Sequence, residues 1–328
     1  MVESRAVRPE EVRIFTVCDS GFFLGLVGLI NSLRLSGNPY PLTVLDAGLT
    51  AEQRSLLEGH CTIAPVPDRP VANPTYYKVF ALDSSRAAVR LFVDSDIIVT
   101  GSLAPVVELA RQGKILAYVD PDPVRWFPEW REAYGLRRPL RRQPYINAGF
   151  LVFDAVRWEW LLRRWREICE PVMHLPGVYE GVRNSPTSQM EQDALNALLM
   201  SEVDDGVVQT LSPEEAPMQQ DVIRNEVRVV DPVRLIAYRG TTPVRILHWT
   251  WRPKPWDLSG RITNQDHAYA RLLARLCLSE DVAIRVPTAH VPYWMRFDLA
   301  SQVRTRVRRW AGLGVRGTER FVRGLLRR

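Results

Sequence analysis

The sequence of 328 residues contains little lysine, little cysteine and no long apolar run. Its longest apolar stretch, GFFLGLVGLINSL, has 13 residues, whereas a membrane-spanning helix needs roughly 18 to 20. We therefore expect no helix that crosses a bilayer. The first residues, MVESRAVRPEEVR, mix acids with bases and lack the apolar centre of a secretory signal. We expect a cytoplasmic protein.

The few cysteines are far apart in the sequence and form no CxxC pair. They lie mostly among apolar residues, a pattern typical of reduced cysteines that fill a core. The spacing therefore indicates neither a zinc site nor a disulfide framework. We predict packing roles for Cys18, Cys61, Cys169 and Cys277.

The formal net charge of +6 is concentrated at the C-terminus. Residues 301–328 contain nine arginines and one acid, Glu319, so the first 300 residues carry a net charge of −2. A nucleic-acid-binding domain would carry its own basic face, and we expect no nucleic-acid partner. Val307 and other apolar residues recur at helical spacing among the arginines. This pattern favours binding to an anionic membrane surface, on the inner face of the cell membrane, over a solvated terminus.

Short apolar segments alternate with amphipathic ones in the N-terminal part. The pattern predicts strands at VRIFTVCD, PLTVLD, CTIAPV and RLFVDSDIIV. It predicts helices at GLVGLINSLRLSG, ended by Gly37, and at TAEQRSLLEGH, with Thr50 as N-cap. Apolar strands separated by helices are typical of a parallel sheet covered on both faces, so the predicted fold class is α/β. Ligands bind beyond the carboxyl ends of such strands, where Asp19, Asp94 and Asp96 fall.

The segment LFVDSDIIV, residues 91–99, carries two carboxylates within an apolar strand. Asp94 and Asp96 share one face of the strand, or reach one point from the turn after it. Two close carboxylates repel each other unless a cation lies between them, and magnesium or manganese suits such oxygen ligands. Two exposed acids that cap a turn are the plain alternative. A second alternative is a phosphatase of the haloacid dehalogenase type, with Asp94 as nucleophile and Asp96 as acid and base.

Three later segments also place polar groups beside apolar runs, namely YINAGFLVFD, QMEQDALNALL and ILHWTWRPKPWD. Together with LFVDSD they form an ordered series that resembles glycosyltransferase family 8, whose members include glycogenin and bacterial lipopolysaccharide galactosyl- and glucosyltransferases. The resemblance covers residues 13 to about 257. It implies a single Rossmann-like, nucleotide-sugar-binding domain of the GT-A type with a mostly parallel sheet. We accordingly divide the chain into a glycosyltransferase catalytic domain, residues 1–290, and a basic amphipathic C-terminal tail, residues 291–328.

The resemblance implies a UDP-sugar donor, UDP-glucose or UDP-galactose, bound together with a manganese or magnesium ion. The family's metal ligands match Asp94, Asp96 and His248, although an isolated histidine on an apolar strand would by default be a core residue. The donor-binding positions implied by the match are Val17, Asp19, Phe22, Lys78, Asp94, Ser95, Asp96, Asn147, Ala148, Gly149, Gln192, His248, Trp251 and Lys254.

Several of these positions have an individual role in the family. Asp19 would accept hydrogen bonds from the base and Phe22 would stack on it, but Asp19 could equally cap the following helix. Asn147 matches a residue that binds the donor sugar. Only three lysines accompany 40 arginines, and two of the three fall in family motifs. Lys254 matches the residue that neutralises the leaving diphosphate, and Lys78 matches a basic residue near the donor sugar.

The implied reaction moves a hexose, glucose or galactose, to a hydroxyl group of a glycan or glycolipid with retention of configuration, in lipopolysaccharide or other cell-surface polysaccharide synthesis. The catalytic residues implied by the match are Gln192, Lys254 and Glu191. An amide is a poor nucleophile, so we favour a front-face displacement, in which a leaving phosphate oxygen takes the acceptor proton, over a covalent adduct on a nearby carboxylate.

Two residues depart from the family's pattern. Glu191 stands where the family usually has aspartate, which affects the choice between glucose and galactose. Trp251 replaces the glycine of HxxGxxKPW, so a catalytically silent nucleotide-sugar-binding protein is the third functional alternative. Segment 120–144, rich in Trp, Pro and Arg, lies where the family places a loop over the acceptor. We expect a lipid-linked saccharide there, with a protein interface as the alternative.

Overall fold

The computed structural model describes residues 11–69, 71–81, 87–178, 181–182, 184–250, 252–257 and 267–296, together with Val307. Trp251 and residues 297–306 and 308–328 of the basic tail lie outside the described residues. The described strands are β1 Val12–Cys18, β2 Leu42–Asp46, β3 Thr62–Pro65, β4 Val89–Val93, β5 Ile97–Val99, β6 Ile115–Val119, β7 Ile146–Asp154, β8 Val208–Leu211, β9 Val227–Asp231, β10 Ile236–Arg239, β11 Thr242–Pro243 and β12 Ile246–His248. The described helices are α1 Phe23–Leu35, α2 Ala51–Leu57, α3 Lys78–Ala81, α4 Ala104–Arg111, α5 Trp130–Ala133, α6 Glu159–Cys169, α7 Glu191–Glu202, α8 Gln219–Ile223 and α9 Ala268–Leu278.

Seven of the described strands form one mixed sheet in the order β3-β2-β1-β4-β7-β6-β8. Strands β3, β2, β1 and β4 are parallel, and β6 is parallel to β8. Strand β7 runs antiparallel to both of its neighbours, β4 and β6. The predicted α/β class with a mostly parallel sheet is confirmed, and the carboxyl ends of β1, β4 and β6 meet at one edge.

Strand β1 shows why the sheet is buried on both faces. Its alternating residues Ile14 and Phe15 are both fully buried, but they belong to different apolar clusters. Since neighbouring side chains on a strand point to opposite faces, one cluster lies on each side of the sheet. The cluster around Ile14 includes α1 and α9, and the cluster around Phe15 includes α6 and α7.

The local signals of the N-terminal helices are also confirmed. Thr50 accepts a hydrogen bond from the backbone N–H of Gln53 at 3.2 Å, and the Gln53 side chain accepts one from the N–H of Thr50 at 3.0 Å. This is a capping box. After α1, Gly37 has a φ of +70°, the left-handed conformation that commonly ends a helix.

The segment RLFVDSDIIV differs from the prediction, because it forms two strands rather than one. The chain turns at Asp94–Asp96, where the N–H of Ile97 donates to the carbonyl of Asp94 at 3.0 Å. Strand β5 then leaves the main sheet and pairs antiparallel with β12, with Ile97 opposite His248. Both carboxylates therefore sit on a turn, the second of the two placements expected, and the β5–β12 pair brings His248 to that turn.

The packed core continues past residue 290, where the predicted catalytic domain ends. Val291 and Met295 are buried in the cluster that contains α1 and α9. Val307, the one described residue of the tail beyond 296, is 62% exposed. Among the described residues, no helix is long and apolar enough to cross a membrane.

Candidate active site

A pocket of about 610 Å³ opens at the edge where the carboxyl ends of β1, β4 and β6 meet. Most of the residues predicted from the sequence line it: Val17, Asp19, Phe22, Lys78, Asp94, Ser95, Asp96, Asn147, Glu191, Gln192, His248 and Lys254. Ala148 and Gly149 lie behind this lining rather than in it. The residues that the sequence did not predict include Asp120, Asp122, Thr75, Gln189 and Arg252.

Three potential metal ligands converge on this pocket. Asp94, Asp96 and His248 each offer one ligand atom, and these atoms lie within 4.8 Å of one another. Nε2 of His248 is 2.9 Å from Oδ1 of Asp96 and 3.8 Å from Oδ2 of Asp94. The hydroxyl of Tyr118 forms a hydrogen bond with Nδ1 of the same histidine. The ring is therefore held with Nε2 towards the carboxylates, the outer-shell arrangement common at metal sites.

The backbone of β7 leaves room for this cluster at Gly149. A Cβ atom at this position would lie 2.5 Å from Oδ2 of Asp94 and 2.6 Å from Cε1 of His248. The register between β6 and β7 also shifts beside it, since Leu116 is opposite Val152 while Tyr118 is opposite Asn147. Gly149 therefore combines an irregularity of the strand with a close approach to the site. The donor set and this cradle fit a divalent cation with oxygen and nitrogen ligands.

Two buried lysines balance the charge of the acids. Nζ of Lys254 lies 2.5 Å from Oδ2 of Asp96 and donates to the carbonyl of Trp249 at 2.6 Å. Burial alone would raise the pKa of Asp96, but Lys254 and His248 outweigh it and hold that pKa well below its usual range. The carboxylate of Asp96 is therefore ionised at neutral pH.

The second lysine, Lys78, connects two sides of the pocket. Its Nζ is 3.0 Å from Oδ1 of Asp94 and 3.0 Å from Oε1 of Glu191. Burial disfavours its charge, yet Asp94 and Glu191 outweigh burial and raise the pKa of Lys78 above its usual value. Within the described part of the chain, Oε2 of Glu191 is buried without a hydrogen-bond partner.

The amide of Gln192 is fixed at both ends at the start of α7. Oε1 accepts a hydrogen bond from the N–H of Ala148 at 2.9 Å, and Nε2 donates to Oδ2 of Asp120 at 3.0 Å. The same carboxylate oxygen accepts a hydrogen bond from Nδ2 of Asn147 at 2.8 Å. Sequence reasoning missed Asp120, although it follows β6 as directly as Asp94 follows β4. The rule that selected acids at strand ends would have found it.

Asp19 does cap the segment after β1. Its Oδ1 accepts hydrogen bonds from the N–H groups of Gly21 at 2.8 Å and Phe22 at 3.1 Å. The carboxylate still lines the pocket, so capping and pocket lining occur together. The ring of Phe22 lies 5.2 Å from Nζ of Lys254 and 5.5 Å from Cζ of Arg252. Arg252 carried no sequence signal beyond its place between the histidine and the lysine.

The turn that carries Asp94 and Asp96 is also held from behind. A Cβ atom on Gly25 of α1 would lie 2.7 Å from the carbonyl oxygen of Ser95. The hydroxyl of Tyr269, on α9, donates to the carbonyl of Asp96 at 2.8 Å. Helices at both ends of the domain therefore fix the backbone of the turn.

This mixed α/β sheet, with a DxD turn and a histidine at its carboxyl edge, has the GT-A fold. The model of the family described as Glycosyl transferase family 8 matches residues 13–214, more than half of the sequence, and the chain belongs to this family. No curated protein sequence matches this chain.

Solved structures share the fold of this chain. The chain is similar to an active-site mutant of LgtC, with 19% identity and a TM-score of 0.56 over 84% of this chain and 98% of that one. It is similar to the galactosyltransferase LgtC in complex with donor and acceptor sugar analogues, with 19% identity, a TM-score of 0.54 and the same coverage. The bifunctional glycosyltransferase WbbM matches with 14% identity and a TM-score of 0.51, over 83% of this chain and 52% of that one. At such identities the likeness establishes the fold alone.

Proposed function

We propose that this glycosyltransferase moves a hexose from a UDP-sugar to a hydroxyl group of a glycan or glycolipid, with retention of anomeric configuration. The observation that carries this proposal is the cluster of Asp94, Asp96 and His248 in the same pocket as the fixed amide of Gln192. The phosphatase alternative, which makes Asp94 a nucleophile, is not favoured, because the chain belongs to a glycosyltransferase family.

A manganese or magnesium ion would be held by Asp94, Asp96 and His248 and would supply positive charge to the donor's diphosphate. The ammonium group of Lys254, next to Asp96 in the pocket, stabilises the negative charge that develops on departing UDP. Lys78 ties Asp94 to Glu191 and so holds the two acidic sides of the pocket together.

The hydrogen bonds of Gln192 support a front-face displacement. Both ends of the amide are committed, Oε1 to the backbone of Ala148 and Nε2 to Asp120. An amide fixed in this way shapes one face of the sugar site and does not act as a nucleophile on the anomeric carbon. The bond between the anomeric carbon and the β-phosphate oxygen breaks and UDP leaves with the electron pair. The acceptor oxygen forms the new glycosidic bond on the same face, and a phosphate oxygen of departing UDP takes the proton of the acceptor hydroxyl.

Glu191 is proposed to recognise the donor sugar by accepting a hydrogen bond from one of its hydroxyl groups. Its Oε1 is paired with Lys78, whereas Oε2 has no hydrogen-bond partner within the described part of the chain, although the side chain lines the pocket. A buried carboxylate oxygen is costly when unpaired, and a sugar hydroxyl would satisfy it. The extra methylene of glutamate relative to the family's aspartate moves this acceptor, and so sets the choice between glucose and galactose.

The acceptor is proposed to be a lipid-linked saccharide, bound near the loop at residues 120–144 while the basic tail at residues 301–328 contacts an anionic membrane. Asp120 and Asp122 of this loop line the pocket, and Val307 of the tail is exposed. The enzyme would then be a peripheral protein on the cytoplasmic face of the membrane. Deleting residues 301–328 should abolish sedimentation with anionic vesicles and preserve turnover of the donor. Unchanged sedimentation would reject the anchor.

The activity is tested by incubating the protein with UDP-glucose or UDP-galactose and Mn²⁺ and following the products by proton NMR. We expect manganese-dependent release of UDP and a sugar product that first appears as the α anomer. A β anomer as first product would contradict retention. Binding of UDP without any turnover would instead support a catalytically silent protein, and a labelled peptide in trapping experiments would replace front-face displacement by a covalent intermediate.

A further inference from the structure

Arg125 does not line the pocket, yet it joins three of the segments that build it. The side chain is 7% exposed. Its Nε donates to Oδ1 of Asp193 at 2.7 Å, and its Nη2 donates to Oδ2 of Asp193 at 2.6 Å. Nη2 also donates to Oγ of Ser188 at 2.9 Å and to the carbonyl of Ser185 at 2.7 Å. A buried guanidinium paired at two points with a carboxylate is a strong and geometrically specific contact.

Asp193, the partner of Arg125, has no hydrogen-bonding capacity left for a substrate. Besides Arg125, its Oδ1 accepts a hydrogen bond from the hydroxyl of Tyr145 at 2.8 Å, and its Oδ2 accepts one from the N–H of Gln189 at 2.7 Å. The residue is fully buried. Asp193 is therefore an anchor within the fold, and neither it nor Arg125 lines the pocket.

The pair lies directly behind the amide that shapes the sugar site. Asp193 follows Gln192 on α7, and Arg125 lies on the loop that begins with Asp120. The loop and the helix are thus connected twice, by Arg125 and Asp193 in the interior and by Asp120 and Gln192 at the pocket, where Oδ2 and Nε2 are 3.0 Å apart.

The residue that precedes α7 shows that this junction must be held. Met190 has a φ of +54° and a ψ of −124°, a conformation that non-glycine residues rarely adopt. Such a backbone persists only where the surrounding contacts over-determine it. The hydrogen bond from the N–H of Gln189 to Asp193, which Arg125 orients, supplies one of these contacts.

We propose that Arg125 is a positioning residue for the transfer reaction, an inference that rests on the proposed function. By fixing the loop after β6 against the first turn of α7, it sets the relative position of Asp120 and Gln192 and so the shape of the sugar side of the pocket. The diphosphate side, built by Asp94, Asp96 and Lys254, has no contact with this pair.

The test compares the variants Arg125→Met and Arg125→Lys with the full-length wild type. The substrate is UDP-glucose or UDP-galactose, whichever the wild type hydrolyses, and the rate of its hydrolysis gives kcat. Calorimetric titration with UDP in the presence of Mn²⁺ gives the affinity of the diphosphate side of the pocket for UDP. We expect kcat to fall roughly ten- to hundredfold, since small misplacements of positioned groups have effects of this size. The Kd for UDP should change by less than about twofold, because its contacts are untouched. A third variant, Arg125→Ala, leaves space for a guanidinium ion, which at millimolar concentration should restore part of its kcat.

A matched control is Arg138→Met. Arg138 pairs the same loop with Asp204, just beyond the other end of α7, at 3.1 Å, but both side chains are exposed, so kcat should stay unchanged. The inference is overturned if Arg125→Met keeps the wild-type kcat, or if its kcat and UDP affinity fall by the same factor. If Arg125→Met does not fold, as judged by circular dichroism, Arg125→Lys decides by the same two criteria. A wild type that neither binds UDP nor hydrolyses the donor contradicts the proposed function instead.

Discussion

The backbone of Gly149 binds the backbone of Asp94, and the missing side chain of Gly149 leaves room for the carboxylate of Asp94. The carbonyl of Gly149 accepts a hydrogen bond from the N–H of Asp94 at 2.7 Å. A Cβ atom on Gly149 would lie 2.5 Å from Oδ2 of that aspartate. The strand β7 therefore supports the DxD turn and at the same time leaves the volume that its carboxylate occupies.

The first prediction concerns this missing side chain. Gly149→Ala should displace Asp94 and His248 and weaken manganese-dependent UDP binding by roughly tenfold or more, since real Cβ atoms do not approach so closely. Calorimetric titration measures the change. Gly101→Ala is the control, because its Cβ would meet Arg245 at an ordinary 3.4 Å. Equal UDP affinity in both variants would mean that Gly149 is not needed for the site.

The second prediction concerns the orientation of His248. Tyr118→Phe removes the hydroxyl bound to Nδ1, and loss of such an outer-shell partner typically lowers metal affinity about 10- to 100-fold. Direct titration with Mn²⁺ should detect this. The control is Tyr76→Phe, which removes another buried hydroxyl. This hydroxyl donates to the carbonyl of Val172 at 3.1 Å and does not bind His248, so manganese affinity should stay unchanged. If both variants bind Mn²⁺ like the wild type, His248 is not a ligand that Tyr118 orients.

The third prediction concerns the packing of α1 against α9. Asn31 is buried and its Nδ2 donates to the carbonyls of Leu276 at 2.7 Å and Ile284 at 2.8 Å, while its Oδ1 accepts from the N–H of Ile284 at 3.0 Å. Asn31→Ala leaves these backbone groups unpaired, so urea unfolding should show a loss of about 2 to 4 kcal/mol.

Thr50→Ala provides the comparison for this loss. It removes only an exposed helix cap and should cost about 1 kcal/mol. A smaller loss for Asn31→Ala than for Thr50→Ala would contradict the proposed bridge between α1 and the segment after α9.

The fourth prediction concerns thiol reactivity as a function of pH. All four cysteines are unbridged. Burial raises the pKa of Cys61 from 9.0 to about 11, so at pH 8 about a hundredfold less thiolate is present than in an unperturbed thiol. Labelling of Cys61, followed by peptide mass spectrometry, should keep rising with pH beyond pH 10. Labelling that levels off at about pH 10 would show an ordinary, accessible thiol, and rapid labelling of the buried Cys277 in the native protein would refute its core position.

Much of the N-terminal sheet and of the site was predictable because the signals are local. Helix caps, apolar runs and acids at strand ends correctly placed β1 to β4, α1, α2 and the two aspartates of the DxD turn. The break between β4 and β5 was missed, because apolar residues continue on both sides of the two aspartates in RLFVDSDIIV and only pairing with the distant β12 divides the segment. Asp120 was missed although the rule for acids at strand ends applies to it directly after β6. The pair of Arg125 and Asp193 was missed because Asp193 lies on α7, which local sequence patterns cannot connect to the loop that carries Arg125.

The central claim is that Asp94, Asp96 and His248 form a metal-dependent site for the diphosphate of a UDP-sugar. Calorimetric titration of the protein with UDP, with and without Mn²⁺, tests it most directly, on wild type, on the double variant Asp94→Asn, Asp96→Asn and on Asp122→Asn as a control carboxylate of the same pocket. We predict manganese-dependent binding in the wild type and in Asp122→Asn, and none in the double variant. UDP binding that is indifferent to both manganese and the double substitution, or no binding in any protein, would contradict the account.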